Sequence, residues 1–210
     1  MNSPSKPVNP VLLAILVSAA TLVIIGSIPL YGKWRHEANT AMVMRHMRNP
    51  AHTVAFVAMC EYLRVDVPTS LAICNQESMI KQYVWSDYWD RRKKKAVTIA
   101  RGYMGIHHDT ASYIMSRTGI PHNGIADEYD AANNFFMGIL HAKYYIEKYG
   151  LDKGLEVYNV GEGNYLYKGW RNQKYVNEIT NQIREYRREA SSNNYVLKPI
   201  REIVNRVYCW

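Results

Sequence analysis

The sequence predicts a mostly α-helical domain carried behind an apolar N-terminal segment. Apolar residues recur at spacings of three and four, as in Val54, Val57 and Ala58 or Val176, Ile179, Ile183 and Tyr186, which sets them on one face of a helix. Helix punctuation stands where such runs begin and end: Asp66-Val67-Pro68 opens one and Gly150 closes another, because proline suits the first helical turn and glycine the residue past the last. No stretch sustains the alternation of a half-buried strand, and no internal repeat is visible.

Residues 1–10 form a short tail. From Val11 to Tyr31 the chain reads VLLAILVSAATLVIIGSIPLY without a charge, which meets the ~20 apolar residues a helix needs to cross ~30 Å of hydrocarbon. A single transmembrane helix over 11–31 is therefore expected, and with it a membrane anchor. A cleaved signal peptide is the alternative, since Lys6 precedes the run and Ser18-Ala19-Ala20 offers small residues. The apolar stretch continues past that point to Leu30, which favours the anchor. Lys33, Arg35, Arg45 and Arg48 follow it and Lys6 precedes it, so the positive-inside rule would keep the rest of the chain inside.

Residues 32–50 read as a polar, positively charged juxtamembrane linker ending at Asn49-Pro50, and the globular domain is placed at 51–190. Ala51–Leu63 and the run holding Leu71, Ile73 and Cys74 form a helical hairpin. Tyr83–Lys95 is aromatic and then basic without periodicity, and is assigned to a loop. Ala111–Thr118 and Ala131–Tyr149 are helical, followed by the helix carrying Val176 to Tyr186. After Ser191-Ser192-Asn193-Asn194, residues 191–210 are expected to form a last amphipathic helix on Ile200, Ile203, Val204 and Val207. Its end, Tyr208-Cys209-Trp210, either packs back on the domain or docks a partner.

A chain of 210 residues has room for one catalytic domain plus appendages. Its 17 tyrosines lean towards a surface that meets polar, ring-shaped ligands. The net charge of +8 suits nucleic acid, anionic lipid or an anionic wall polymer. The run Arg91-Arg92-Lys93-Lys94-Lys95 on a solvated loop would account for much of that excess. A nucleic-acid role rests on charge alone and is not expected. Three cysteines without metal-type spacing give no support to zinc or redox motifs, and no metal or cofactor is expected. Cys60 and Cys74, on successive helices, either pair in an oxidising compartment or remain buried thiols.

Glu77 follows the apolar helix of Leu71, Ile73 and Cys74. A carboxyl against such a wall has its charged form disfavoured, which makes a general acid for a glycosidic oxygen. Alone, the same residue reads far more readily as a solvated glutamate at a helix end. Four segments in order change that. The run from Tyr62 to Ser78, with Cys74-Asn75-Gln76-Glu77-Ser78 at its end, resembles the opening of the soluble lytic transglycosylase domain. Gly102-Tyr103-Met104-Gly105-Ile106-His107-His108 looks like that family's glycine-punctuated segment, with His108 where a glutamine usually lines the cleft. Asp130 to Gly138 is similar to the opening of a core helix, in which Asn134 and Gly138 are expected to be mainly structural. Val157-Tyr158-Asn159-Val160-Gly161 resembles the family's Ala-Tyr-Asn-Ala-Gly, and Tyr175 the late tyrosine that closes the cleft. The likeness covers about residues 52–188.

The resemblance implies a lysozyme-like helical domain that cleaves peptidoglycan glycan strands, with Glu77 catalytic and Ser78, Ser86, Met104, His108, Tyr158, Asn159 and Tyr175 binding substrate. It implies that Glu77 protonates the oxygen between MurNAc and GlcNAc and then draws a proton from the muramoyl 6-hydroxyl, leaving a 1,6-anhydro product. Rivals are a hydrolytic lysozyme helped by Asp87, Asp90 or Asp109, and a non-catalytic wall-binding part of a virion or secretion channel. The segment between Glu77 and Gly102 is longer than the family usually has, and holds Trp85, Trp89 and the basic run, suited to sugar faces and anionic polymer. A wall substrate puts the domain on the periplasmic side, against the charge rule. Delivery from outside in a virus particle would reconcile the two, and leaves virion or secretion-machinery proteins as candidate partners.

Overall fold

The computed structural model describes residues 32–90, 95–121 and 123–192. The predicted membrane segment 11–31, the basic residues Arg91–Lys94 and residues 193–210 of the predicted last helix lie outside the described residues. Among the described residues no helix is long and apolar enough to cross a membrane. The chain divides into two units, Met1–Glu37 and Ala38–Trp210. In the first, the described residues 32–37 are helical.

The second unit opens with helix α1, residues 38–47, followed by α2 (Pro50–Tyr62), α3 (Val67–Ser78), β1 (Trp85–Asp90), β2 (Lys95–Arg101), β3 (Ile106–His107), α4 (His108–Thr118), α5 (Ile125–Tyr129), α6 (Ala131–Tyr149), α7 (Leu151–Val160), α8 (Glu162–Tyr167) and α9 (Gln173–Ser192). The helix starts follow from the sequence. Asn49 caps α2 by accepting the His52 N–H at 3.1 Å, Asp66 caps α3 through Thr69 at 3.2 Å, and Asp130 caps α6 through Asn133 at 2.9 Å. Each cap fills a donor that the first helical turn leaves unpaired. At the other end of α6, the Gly150 N–H returns to the Ile146 carbonyl as expected.

Helix α6 is the axis of the core, packed on α2 and α7, while α3 packs on α9. Phe135 of α6 meets Phe56 of α2 edge-on at 5.0 Å and lies 4.9 Å from Tyr103. Leu71, Ile139, Leu155 and Ile179 close around them without solvent contact. Helix α7 approaches closely because Gly154 lacks a side chain: a Cβ there would fall 2.7 Å from the Ile146 Cα. Cys60 and Cys74 are free and buried. Burial pushes the Cys60 thiol up to about 12 and that of Cys74 higher still, so both stay protonated and inert.

Two expectations are corrected. Much of the supposed polar linker is core: Met42, Val43 and Met47 of α1 are buried with the rest. The same helix is tied to α9, where Glu189 takes Arg45 at 3.0 Å and His46 at 2.8 Å. The supposed loop over Tyr83–Lys95 is largely sheet. β1 and β2 form an antiparallel hairpin from Trp85 opposite Arg101 to Asp90 opposite Lys95, with a bulge between Ser86 and Asp87. β3 adds to β2 through Ala100 opposite His107. The partner of each strand lies elsewhere in the chain, and a strand with no sustained alternation does not advertise it.

Candidate active site

The site begins where α3 stops. Met79 and Ile80 adopt left-handed backbone, φ 53° and 57°, and the Met79 N–H closes on the Asn75 carbonyl at 2.8 Å. Glu77 is thereby fixed in the last helical turn. Ser78, expected to touch substrate, is buried instead. Its Oγ sits 3.0 Å from the Cys74 carbonyl and 2.8 Å from the Tyr103 carbonyl, and accepts the Lys81 N–H at 3.2 Å. With those contacts it stitches the end of α3 to the glycine segment.

That segment is held from the other side by Asn134 of α6. Asn134 Nδ2 donates to the carbonyls of Arg101 at 3.1 Å and Glu128 at 2.8 Å, while its Oδ1 accepts the Met104 N–H at 2.8 Å. Met104, also expected against substrate, has a fully buried side chain lying over Gly138, where a Cβ would come within 2.3 Å of it. Its backbone carbonyl accepts the Tyr158 phenol at 2.8 Å, so Met104 acts on the cleft through its backbone. Asn134 and Gly138 have the structural roles expected of them.

Gly105 brings the backbone up to the acid. Its φ is +57°, and a Cβ there would lie 2.7 Å from Glu77 Oε2. Both facts exclude a side chain. Gly105→Ala is expected to displace the carboxyl and lower the turnover of glycan strands by roughly ten-fold or more, with the helical circular dichroism spectrum unchanged; full turnover in this variant would show that the carboxyl's position is not critical.

Glu77 keeps partial solvent contact while its carboxyl is crowded by protein, and burial raises its pKa from 4.5 to about 7. The Tyr175 phenol donates to Oε1 at 2.5 Å and pulls the other way, favouring the carboxylate. Burial and the nearby Glu77 carboxyl hold the Tyr158 and Tyr175 phenols well above their usual range, so both remain donors. Removing one opposing effect shows its sign. In Tyr175→Phe the Glu77 pKa rises, so the alkaline fall of a reaction that needs the protonated acid moves to higher pH. A pH profile of kcat/KM checks it, and an unmoved limb would rule out the hydrogen bond as a tuning device.

A cleft of about 70 Å3 opens on Glu77, lined also by Gly105, Ile106, His107, Thr110, His141, Tyr158 and Asn159. Asn159 lies exposed at its edge, where Oδ1 accepts from Asn172 Nδ2 at 2.8 Å. The fold thus brings together Glu77, Tyr158, Asn159 and Tyr175. Ser86 lies in β1 opposite Ala100, at the bulge. His108 does not line the cleft. It is the first residue of α4, and its Nδ1 pairs with the Glu128 carboxylate, which is fully buried and also pairs with Arg101. The alternation in β3 explains this, because Ile106 points into the core and His107 out of it, leaving the next residue to turn into the helix.

His107, Thr110 and His141 were not anticipated. Desolvation lowers both imidazoles, His141 down to about 4, so His141 is neutral near pH 7. A signal for it existed: Asn134, Gly138, His141 and Tyr145 follow at helical spacing, so His141 continues the stripe that faces the glycine segment. Among the described residues lining this cleft, Glu77 supplies the one carboxyl.

A family profile described as Transglycosylase SLT domain matches residues 54–183. No curated protein matches the chain. Among solved structures, an inactive mutant of the lytic transglycosylase Slt from Pseudomonas aeruginosa superposes with a TM-score of 0.52 at 18% identity, over 69% of this chain and 25% of that one. A complex of the 70-kDa soluble lytic transglycosylase with bulgecin A gives 0.46 at 17% identity, over 72% and 24%. The chain therefore spans about a quarter of the length of either. With the profile running from α2 into α9 and the mostly helical, lysozyme-like fold shared with the first of these structures, the chain belongs to the Transglycosylase SLT domain family.

Proposed function

We propose that the chain is a peptidoglycan lytic transglycosylase with Glu77 as its acid and base. The observation that carries this reading is the Glu77 carboxyl itself: crowded by Gly105, held by Tyr175, and protonated up to about pH 7 in a cleft with Tyr158 and Asn159. Burial favours the acid before reaction, and the Tyr175 hydrogen bond favours the carboxylate after it. A pKa near the working pH lets one group give and then take a proton. Glu77 donates its proton to the oxygen joining MurNAc to GlcNAc, and the C1–O bond breaks. The carboxylate then removes the proton of the muramoyl 6-hydroxyl, whose oxygen bonds to C1 and closes a 1,6-anhydro ring. No water is consumed, and nucleophile and electrophile already share one sugar.

A hydrolytic lysozyme normally needs a second carboxyl placed to activate water. Glu77 as the single cleft-lining carboxyl among the described residues favours the intramolecular route. Mass spectrometry of purified sacculi digested with the full chain tests this. Anhydro-ended fragments are expected; reducing-ended ones would assign the water route, and intact sacculi would leave the wall-binding role.

The setting we propose rests on the sequence. The uncharged segment 11–31 anchors the chain in a membrane, with residues 51–190 acting on the wall from the periplasmic side, during either virion entry or secretion-linked wall opening. Extraction of membranes at alkaline pH, which strips peripheral proteins, should leave the chain in the bilayer fraction.

A further inference from the structure

Asn172 stands just before α9 and is bonded to a residue on each side of the Glu77 cleft. Its Oδ1 accepts the Tyr175 N–H at 3.1 Å, closing the first turn of α9. Its Nδ2 donates to Asn159 Oδ1, near the end of α7, at 2.8 Å. Its own N–H goes to Oε1 of Glu156, a buried residue of α7, at 2.8 Å. The neighbouring Arg171 donates to the Tyr165 and Trp170 carbonyls at 2.9 and 2.7 Å, and its Nε lies 4.0 Å from Glu156 Oε2. The turn that presents Asn172 is thus pinned from below, and both ends of its amide are committed to cleft residues.

Each bond has a consequence for the cleft. The first turn of a helix frays unless its free N–H groups find acceptors. Tyr175 stands in that turn and its phenol donates to Glu77 Oε1 at 2.5 Å, so the cap holds in place the donor that favours the carboxylate. An asparagine amide has one accepting and one donating end. With Oδ1 of Asn159 taken by Asn172, its Nδ2, which has no bond among the described residues, is the end left for a ligand. The edge of the cleft therefore offers a donor, suited to a carbonyl or hydroxyl oxygen of a sugar. We infer that Asn172 is a positioning residue: through Tyr175 it holds the hydrogen bond to the Glu77 carboxyl, and through Asn159 it turns an amide donor towards the glycan strand. This rests on the peptidoglycan reading above.

Asn172→Ser and Asn172→Ala separate the two arms. Serine keeps an acceptor for the Tyr175 N–H and loses the reach to Asn159, whereas alanine loses both. With the full chain in detergent, below the melting temperature of either variant, KM for glycan strands is expected to rise about five-fold in both. The alkaline limb of kcat/KM should move to higher pH in Asn172→Ala alone. The other titratable groups around Glu77 are Cys74 of α3, Tyr158 of α7, Tyr175 of α9, His107 of β3 and His141 of α6. Burial pushes the thiol and phenols up and the imidazoles below 6.5, which leaves that limb to Glu77. A second reading needs no turnover. The δ-carbon resonance of isotopically labelled Glu77, identified by its loss in Glu77→Gln, should titrate at about 7 in wild type and Asn172→Ser, and at higher pH in Asn172→Ala. A midpoint in Asn172→Ala equal to wild type, an equal shift in Asn172→Ser, or an unchanged KM in both variants would overturn the proposal. Midpoints that move as described in a chain that cuts no strand support the Tyr175 arm and count against the enzymatic reading alone.

Discussion

Glu77→Gln is expected to lower cleavage of sacculi by roughly 10²–10⁴-fold, the range general acid–base catalysis supplies. Glutamine keeps the shape and still accepts from Tyr175, but it has no proton to give at the pH of the reaction. The same substitution should act on stability in the opposite direction. The Glu77 carboxyl titrates near 4.5 when exposed and at about 7 in the fold. Its folded pKa is raised, so the stability it contributes is full below about pH 4.5 and is lost as pH rises through about 7. Above that, wild type carries a crowded carboxylate that glutamine lacks. In urea unfolding at pH 8 the variant should therefore be more stable, by on the order of 2 kcal/mol, and the two should converge at pH 4. Clearing zones of equal size on a sacculus gel would sink the catalytic role, and equal stability at pH 8 the claim that the carboxyl is desolvated.

Asn134→Ala should have the largest effect on folding. One buried side chain holds three backbone groups, those of Arg101, Met104 and Glu128, and alanine would leave them unsatisfied. A loss of about 3 kcal/mol is expected, equivalent to a drop of roughly 6–12 °C in Tm. Activity should also fall at temperatures where the variant is still folded, because the Met104 carbonyl positions the Tyr158 phenol. Asn134→Asp retains the acceptor for Met104 and gives up both donor bonds, so its Tm should lie between the two. Unchanged melting of Asn134→Ala would mean that the glycine segment is held by its own turns.

Long helices with an apolar face were readable because their information is local. α2, α3, α6 and α9 stand where spacing, caps and Gly150 place them. The hairpin was not readable, since Trp85 pairs with Arg101 across an aromatic and basic stretch whose pattern names no partner. In α1 the sequence held a signal that charge obscured: Ala38, Met42, Val43 and Met47 make a broad buried face, and Arg45 and His46 reach α9. The site divides similarly. Glu77, Tyr158, Asn159 and Tyr175 were named by motif order, and all four meet. Motif order cannot separate a side chain that touches ligand from one that braces its neighbour. Ser78 and Met104 are such braces, and a one-residue turn at the end of β3 exchanges His108 for His107.

The buried face of α1 also bears on how the molecule can be cut. Family likeness starts at residue 54 and the chain has an inviting break at Asn49-Pro50, yet a fragment trimmed at either point would leave behind Met42, Val43 and Met47, which fill the interior. Their absence would open a greasy hollow in the core, inviting precipitation during expression. A piece meant to fold by itself must start no later than Ala38.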